Sequence, residues 1–175
     1  KGLGSSNYKK LSLPTFDKNH LINSYDITKN GLKWSMMNNF IDKLEDEKAI
    51  IVNTDLTTGR GIHWITMYLR DDTVYIIDSL SKNNYRPNDE LMKNTIKENG
   101  YKIKFYKYPF QHSDNSLCGW YAIYIAKKLN KHKPKNIFKY VYDLFGDSAD
   151  NGDIKKLIEG FGLKTRNKMD VVMDK

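Results

Sequence analysis

The sequence holds a single cysteine, Cys118, among 175 residues. An internal disulfide and a multi-cysteine metal site are therefore excluded, and the usage fits a reducing compartment. Proline is scarce at four residues, and the 11 glycines follow no repeat, which excludes collagen-like and low-complexity architectures. No apolar run approaches the ~20 residues needed to cross a bilayer, so neither a membrane helix nor a membrane partner is expected. Residues 1–30 contain no apolar stretch of the secretory kind. Arginine is nearly missing as well: 25 of the 29 basic residues are lysine.

What is present suits one folded domain. Apolar residues make up 39% and charged residues 29%, and 175 residues allow one sizeable core but hardly two. The net charge is +8. Six lysines and no acid fall between Lys127 and Lys139: Lys127, Lys128, Lys131, Lys133, Lys135 and Lys139. A basic face of that kind attracts polyanions by counterion release, which makes DNA a candidate partner. The same run also reads as the solvated end of a helix.

Hydrophobic spacing divides the chain. Residues 1–32 read as an irregular arm packed by Leu11, Leu13, Phe16 and Leu21. From Leu32 the spacing becomes helical, with Trp34, Met37, Ile41 and Leu44 on one face. Ala49–Val52 reads as a strand, Ile62–Leu69 and Thr73–Asp78 as a hairpin through Arg70-Asp71-Asp72, and Tyr101–Tyr108 as a further strand. A helix over 88–99 opens after Pro87 and closes at Gly100. Cys118–Leu129 is a strongly apolar helix, two more helical stretches lie near 135–145 and 153–161, and the last dozen residues read as loose. The expected fold is a single α+β domain over 1–175: a small, mostly antiparallel central sheet flanked by helices, with a core at 48–130 and C-terminal helices and tail at 131–175.

Cys118 opens its helix, where unpaired N–H groups and the helix dipole favour a thiolate. Gly119 after it leaves room for a substrate backbone. A buried structural cysteine at the head of a core helix is the other reading. Of the four histidines, His20 lies in the arm, His112 in the loop before Cys118 and His132 in the lysine run. His63 alone falls in an expected strand, which would hold an imidazole rigidly enough for a general base. Asp78 closes the neighbouring strand and could fix the imidazole tautomer, while Asp71 and Asp72 suit the hairpin turn. Gln111, seven residues before Cys118, could donate its side-chain N–H to a developing oxyanion together with the Cys118 amide. Cys118, His63 and Asp78 provide too few soft ligands, without close ligand pairs, for a zinc site.

Taken together, Gly61-Ile-His63-Trp64, then Tyr75-Ile-Ile-Asp78-Ser, then Gln111 and Cys118-Gly119 resemble the adenain-like cysteine proteases. These are the proteases of adenoviruses and their relatives in other large DNA viruses, virophages and Polinton-type elements, in the clan of the SUMO and ubiquitin-like protein proteases. The resemblance covers roughly residues 48–130, and the step from Gln111 to Cys118 is that of the viral branch. It implies an adenain-type fold, a circularly permuted relative of the papain arrangement. It also implies His63 as general base, Asp78 as its orienter, Cys118 as nucleophile, Gln111 as oxyanion donor and Trp64 as an aromatic wall beside the imidazole.

The implied activity is endopeptidase cleavage after small residues, often glycine, in capsid precursor proteins. The enzyme would act as a monomer in virions or in the host cytoplasm at virus factories. No cofactor is needed for the chemistry. The adenovirus enzyme carries Glu at the position of Asp78 and is tethered to an activating peptide through a second cysteine. Without that cysteine here, activation would rest on DNA or a non-covalent peptide. Three other functions share parts of the pattern: a deconjugase of ubiquitin-like modifiers, an acyltransferase using coenzyme A, and a basic nucleic-acid-binding domain with a structural cysteine.

Overall fold

Along Lys48–Asn53 every side chain after the first is buried, which requires a strand covered on both faces. The computed structural model, which describes residues 22–81, 87–111, 116–146 and 154–161, shows how the cover is built. Five strands form one sheet in chain order: β1 (Lys33–Met36), β2 (Lys48–Asn53), β3 (Trp64–Arg70), β4 (Thr73–Ile77) and β5 (Lys102–Phe105). β2, β3 and β4 are successively antiparallel, while β1 runs parallel to β2 and β5 parallel to β4. The expected mostly antiparallel sheet is thus evenly mixed. Each outer strand is reached by a crossover, and a crossover returns the chain in the same direction.

Alternate side chains of the central strands sort into two cores. Ala49, Ile51, Tyr68 and Ile77 pack with the helix α3 (Cys118–His132), and α4 (Ile137–Phe145) and α5 (Ile154–Gly160) extend that core through Val141, Phe145 and Leu157. Ile50, Val52, Met67 and Ile76 pack instead with Met92 and Ile96 of α2 (Asp89–Glu98), and with Met37 and Phe40. α3 is buried continuously from Gly119 to Ala126, as a helix apolar on all sides must be. Two polar bonds fix its position on the sheet. Thr66 Oγ1 donates to the Ala122 carbonyl at 3.0 Å, and the Ala49 N–H donates to Asn130 Oδ1 at 2.7 Å.

The strands and helices expected after residue 48 occur close to their expected limits. Before it, two expectations fail. The helix expected from Leu32 to Leu44 is instead β1 followed by a short 3-10 turn at Phe40–Lys43. Pairing of Trp34 with Ile51 and of Ser35 with Val52 supplies backbone bonds that outweigh a helix-like apolar spacing. Within the arm, Ser24–Lys29 forms α1, closed by a capping box in which Asn23 and Asp26 satisfy each other's backbone N–H groups. The arm up to residue 21, with Leu11, Leu13, Phe16, His20 and Leu21, lies outside the described residues, as does the tail after 161. Among the described residues no helix is long and apolar enough to cross a membrane.

Candidate active site

β4 ends at Ile77, and the next residue turns its carboxylate onto the residue that precedes β3. Asp78 Oδ1 lies 2.7 Å from His63 Nε2, and both side chains are almost wholly buried. The same oxygen accepts the Leu80 N–H at 2.9 Å, which holds the carboxylate in place. His63 therefore sits one residue outside the strand expected to contain it, where the ladder begins at Trp64 opposite Asn53. Its carbonyl still accepts the Thr54 N–H at 2.8 Å, so the backbone remains fixed while the ring stands at the end of the sheet.

Cys118 is the first residue of α3. Its thiol lies within electrostatic reach of the His63 imidazole, and the Trp64 N–H points at Sγ from 3.5 Å. With Nε2 held by Asp78, Nδ1 is the imidazole nitrogen left for the thiol. Burial alone would lower the His63 pKa, but the hydrogen bonds and charges of Asp78 and Cys118 outweigh it and raise the value to about 9. Burial likewise opposes ionisation of Cys118, and the His63 bond and charge, with the Trp64 amide, overcome it and bring the thiol below its ordinary value. The two shifts act in one sense: each favours the charged partner of the pair, imidazolium on His63 and thiolate on Cys118.

A cleft of about 470 Å³ opens at Cys118 and is lined by Cys118, Gly119, Trp64, Trp34, Ile22 and the loop from Gly59 to Ile62. The Trp64 ring forms its wall, packed edge-on against Trp34 at 6.3 Å. Gly119 differs from expectation in one respect. A Cβ on it would lie 2.2 Å from the Ile22 side chain and 3.1 Å from Trp64, so the space above this glycine is filled by Ile22. The loop before His63 is braced from within. Asn53 Oδ1 accepts the N–H groups of Asp55 and Ile62, and Asp55 Oδ2 accepts that of Gly61. Gly61 has φ of +104°, a conformation that only glycine adopts without strain.

Gln111 is buried beside Ser79. Its N–H donates to the Ser79 carbonyl at 3.0 Å, and its Oε1 accepts the Ser79 hydroxyl. Asp71 takes its expected turn position with φ of 55°. His132 lies against Tyr140 at the other end of α3, and His112 lies outside the described residues. Among the described residues there is no group of three or more His, Cys, Asp or Glu able to hold a metal.

The six lysines do not form one stripe. Lys127, Lys128 and Lys131 line a separate cleft of about 480 Å³ with Asn30, Tyr124 and Phe161. Lys133 donates to the Glu47 carbonyl, Lys139 pairs with Asp143 at 2.9 Å, and Lys135 offers its carbonyl to Arg70. Sequence reasoning missed Asn53, Ile22 and Ser79. Only Ser79 left a signal, as the polar residue directly after the orienting acid.

No protein-family model matches the chain, and no curated protein sequence does. The solved structures to which it is similar include the following. The ASFV pS273R protease aligns at 19% identity and a TM-score of 0.36, over 67% of this chain and 44% of that one. AvrA with IP6 and CoA aligns at 13% identity and 0.39, over 78% and 65%. The SUMO protease Ulp1 aligns at 14% identity and 0.30, over 95% and 68%. The chain thus spans less than two thirds of the length of the first two.

Proposed function

We propose that this protein is a cysteine endopeptidase with Cys118 as nucleophile. The observation that carries this reading is the row Asp78–His63–Cys118: a buried 2.7 Å carboxylate–imidazole bond beside a half-buried thiol at the head of a helix. The thiolate attacks the scissile carbonyl carbon; the C–S bond forms and the carbonyl electron pair moves to oxygen. The Cys118 N–H and the Gln111 carboxamide receive that oxyanion. When the intermediate collapses, the C–N bond breaks and His63 gives its proton to the leaving amine. Water, losing a proton to His63, then hydrolyses the thioester and regenerates the thiolate. Asp78 keeps the imidazole turned and its positive charge balanced throughout.

The resemblance to adenain-like proteases suggests the substrates: capsid precursor proteins cut after small residues, in virions or virus factories of a reducing cytoplasm. With Ile22 and Trp64 crowding the space above Gly119, the cleft at Cys118 suits a substrate with little side chain near the cut. The cleft bearing Lys127, Lys128 and Lys131 suits a polyanion, and we assign it to DNA as a partner of a monomeric enzyme.

Thiol alkylation by iodoacetamide against pH, in the parent and in His63→Ala, tests the dyad. A thiolate titrating below ~8.5 and lost in His63→Ala is expected. A slow thiol indifferent to His63 would sink the reading.

A further inference from the structure

Ser79 is the residue directly after the orienting acid, and its own side chain is buried to 4% exposure. The carbonyl of Ser79 accepts two consecutive backbone N–H groups, Phe110 at 2.9 Å and Gln111 at 3.0 Å. Its hydroxyl donates to Gln111 Oε1. One residue thus holds the backbone and the side chain of Gln111, while its neighbour Asp78 holds His63.

A carboxamide is polar at two nearly isosteric ends, one accepting and one donating. Only the NH₂ end can stabilise an oxyanion; the oxygen end would repel it. A glutamine in that role therefore needs a partner that decides which end faces the reacting carbon. With Oε1 held by the Ser79 hydroxyl, the NH₂ is the end turned away from Ser79. We propose that Ser79 is the positioning residue of the oxyanion site, setting the orientation of the Gln111 carboxamide. Consecutive residues at the end of β4 then fix both partners of the thiol: Asp78 the imidazole and Ser79 the oxyanion donor. This inference rests on the cysteine-protease reading, with Gln111 in its oxyanion site.

Two probes of Cys118 separate this role from a structural one. Iodoacetamide is displaced at a saturated carbon, so its reaction reports the thiolate and develops no oxyanion. A peptide aldehyde, acetyl-Gly-Gly with a terminal aldehyde, forms a hemithioacetal: the C–S bond forms and the carbonyl electron pair moves to an oxygen in the oxyanion site. Ser79→Ala should weaken the aldehyde adduct by about tenfold or more, approaching the ~100–1000-fold typical of a lost oxyanion donor. The iodoacetamide pH profile should stay that of the parent, and Ser79→Thr, which keeps the hydroxyl, should restore the adduct. In a Gln111→Ala background, Ser79→Ala should cost nothing further.

An unchanged adduct in Ser79→Ala overturns the proposal. So does a further loss in the Gln111→Ala background, or an alkylation profile that moves in step with adduct affinity. If the parent alkylates as a thiolate but forms no adduct, the oxyanion site and this proposal fall while the dyad stands. If the parent thiol is unperturbed, the protease reading itself falls.

Discussion

At the scale of single residues, the pair Cys118–His63 makes a prediction about pH. Turnover needs the thiolate for attack and the imidazolium for the leaving amine. Activity should therefore rise as pH passes the lowered thiol value and fall as it passes about 9, where His63 loses its proton. Alkylation by iodoacetamide needs only the thiolate, so it should share the acid limb and lack the alkaline fall. In Asp78→Asn the charge that raises His63 is gone, while an oxygen remains for Leu80. The alkaline limb should move to lower pH, with kcat/KM at neutral pH down by about 10–100-fold. An alkaline limb that stays in place would mean that Asp78 is not the group supporting His63.

Gly61 carries a second residue-scale prediction. Alanine there must hold φ of +104° and bring its Cβ to 3.2 Å from Asn53 Nδ2. The expected cost is about 1–3 kcal/mol in urea unfolding, the usual range for a side chain held in a sparsely populated region. Because Asn53 and Asp55 fasten this loop to the start of β3, activity should fall with stability. Unaltered stability would show that the loop relaxes freely.

Among elements, the hairpin β3–β4 is tied to the rest of the fold by Arg70. Its guanidinium donates to both carboxylate oxygens of Glu47, at 2.6 and 3.0 Å, and to the carbonyls of Pro134 and Lys135 beyond α3. Tyr68 adds its hydroxyl to Glu47. Arg70→Ala should cost about 2–4 kcal/mol, because charge-assisted bonds and two chain carbonyls lose their partner together. The Arg70 bond, then that of Tyr68, lowers the Glu47 pKa to about 2. Glu47 is thus held below its unfolded value, and its contribution is present above the ordinary carboxylate range of ~4.3. It is lost as pH falls through about 2. The stability gap between parent and Arg70→Ala should accordingly narrow over that acid window, and a gap constant down to pH ~2 would contradict the linkage.

The elements also show what the sequence could and could not disclose. From β2 onward, apolar alternation, turn residues and helix ends marked nearly every element, because there the pattern and the burial agree. Residues 32–44 misled because Trp34, Met37 and Ile41 mimic helical spacing, although Met37 and Ile41 pack in one core and Trp34 in the other. A crossover partner such as β2, paired in parallel with β1, leaves no local trace. In the site, His63, Asp78 and Cys118 were legible from type and order. Ile22 over Gly119 was not, since it depends on how the chain before β1 is laid against the start of α3.

For the whole molecule, the net charge of +8 states that polyanions are attracted but not where they bind. The fold divides the lysine run. Lys139 is matched by Asp143 and Lys133 is tied to the Glu47 carbonyl, whereas Lys127, Lys128 and Lys131 line the cleft beside α5. If DNA docks there, each phosphate neutralised contributes about 0.9 to the slope of log K against log salt. Replacing the three cleft lysines by glutamine should lower that slope by about 2–3 on a short duplex. Lys139→Gln should change it little, because that charge already has a partner. Alkylation of Cys118 should be unaltered in both variants, as neither touches the cleft that holds the thiol. Equal losses from the two variants would mean diffuse attraction to the whole surface, and the assignment of DNA to this cleft would fail.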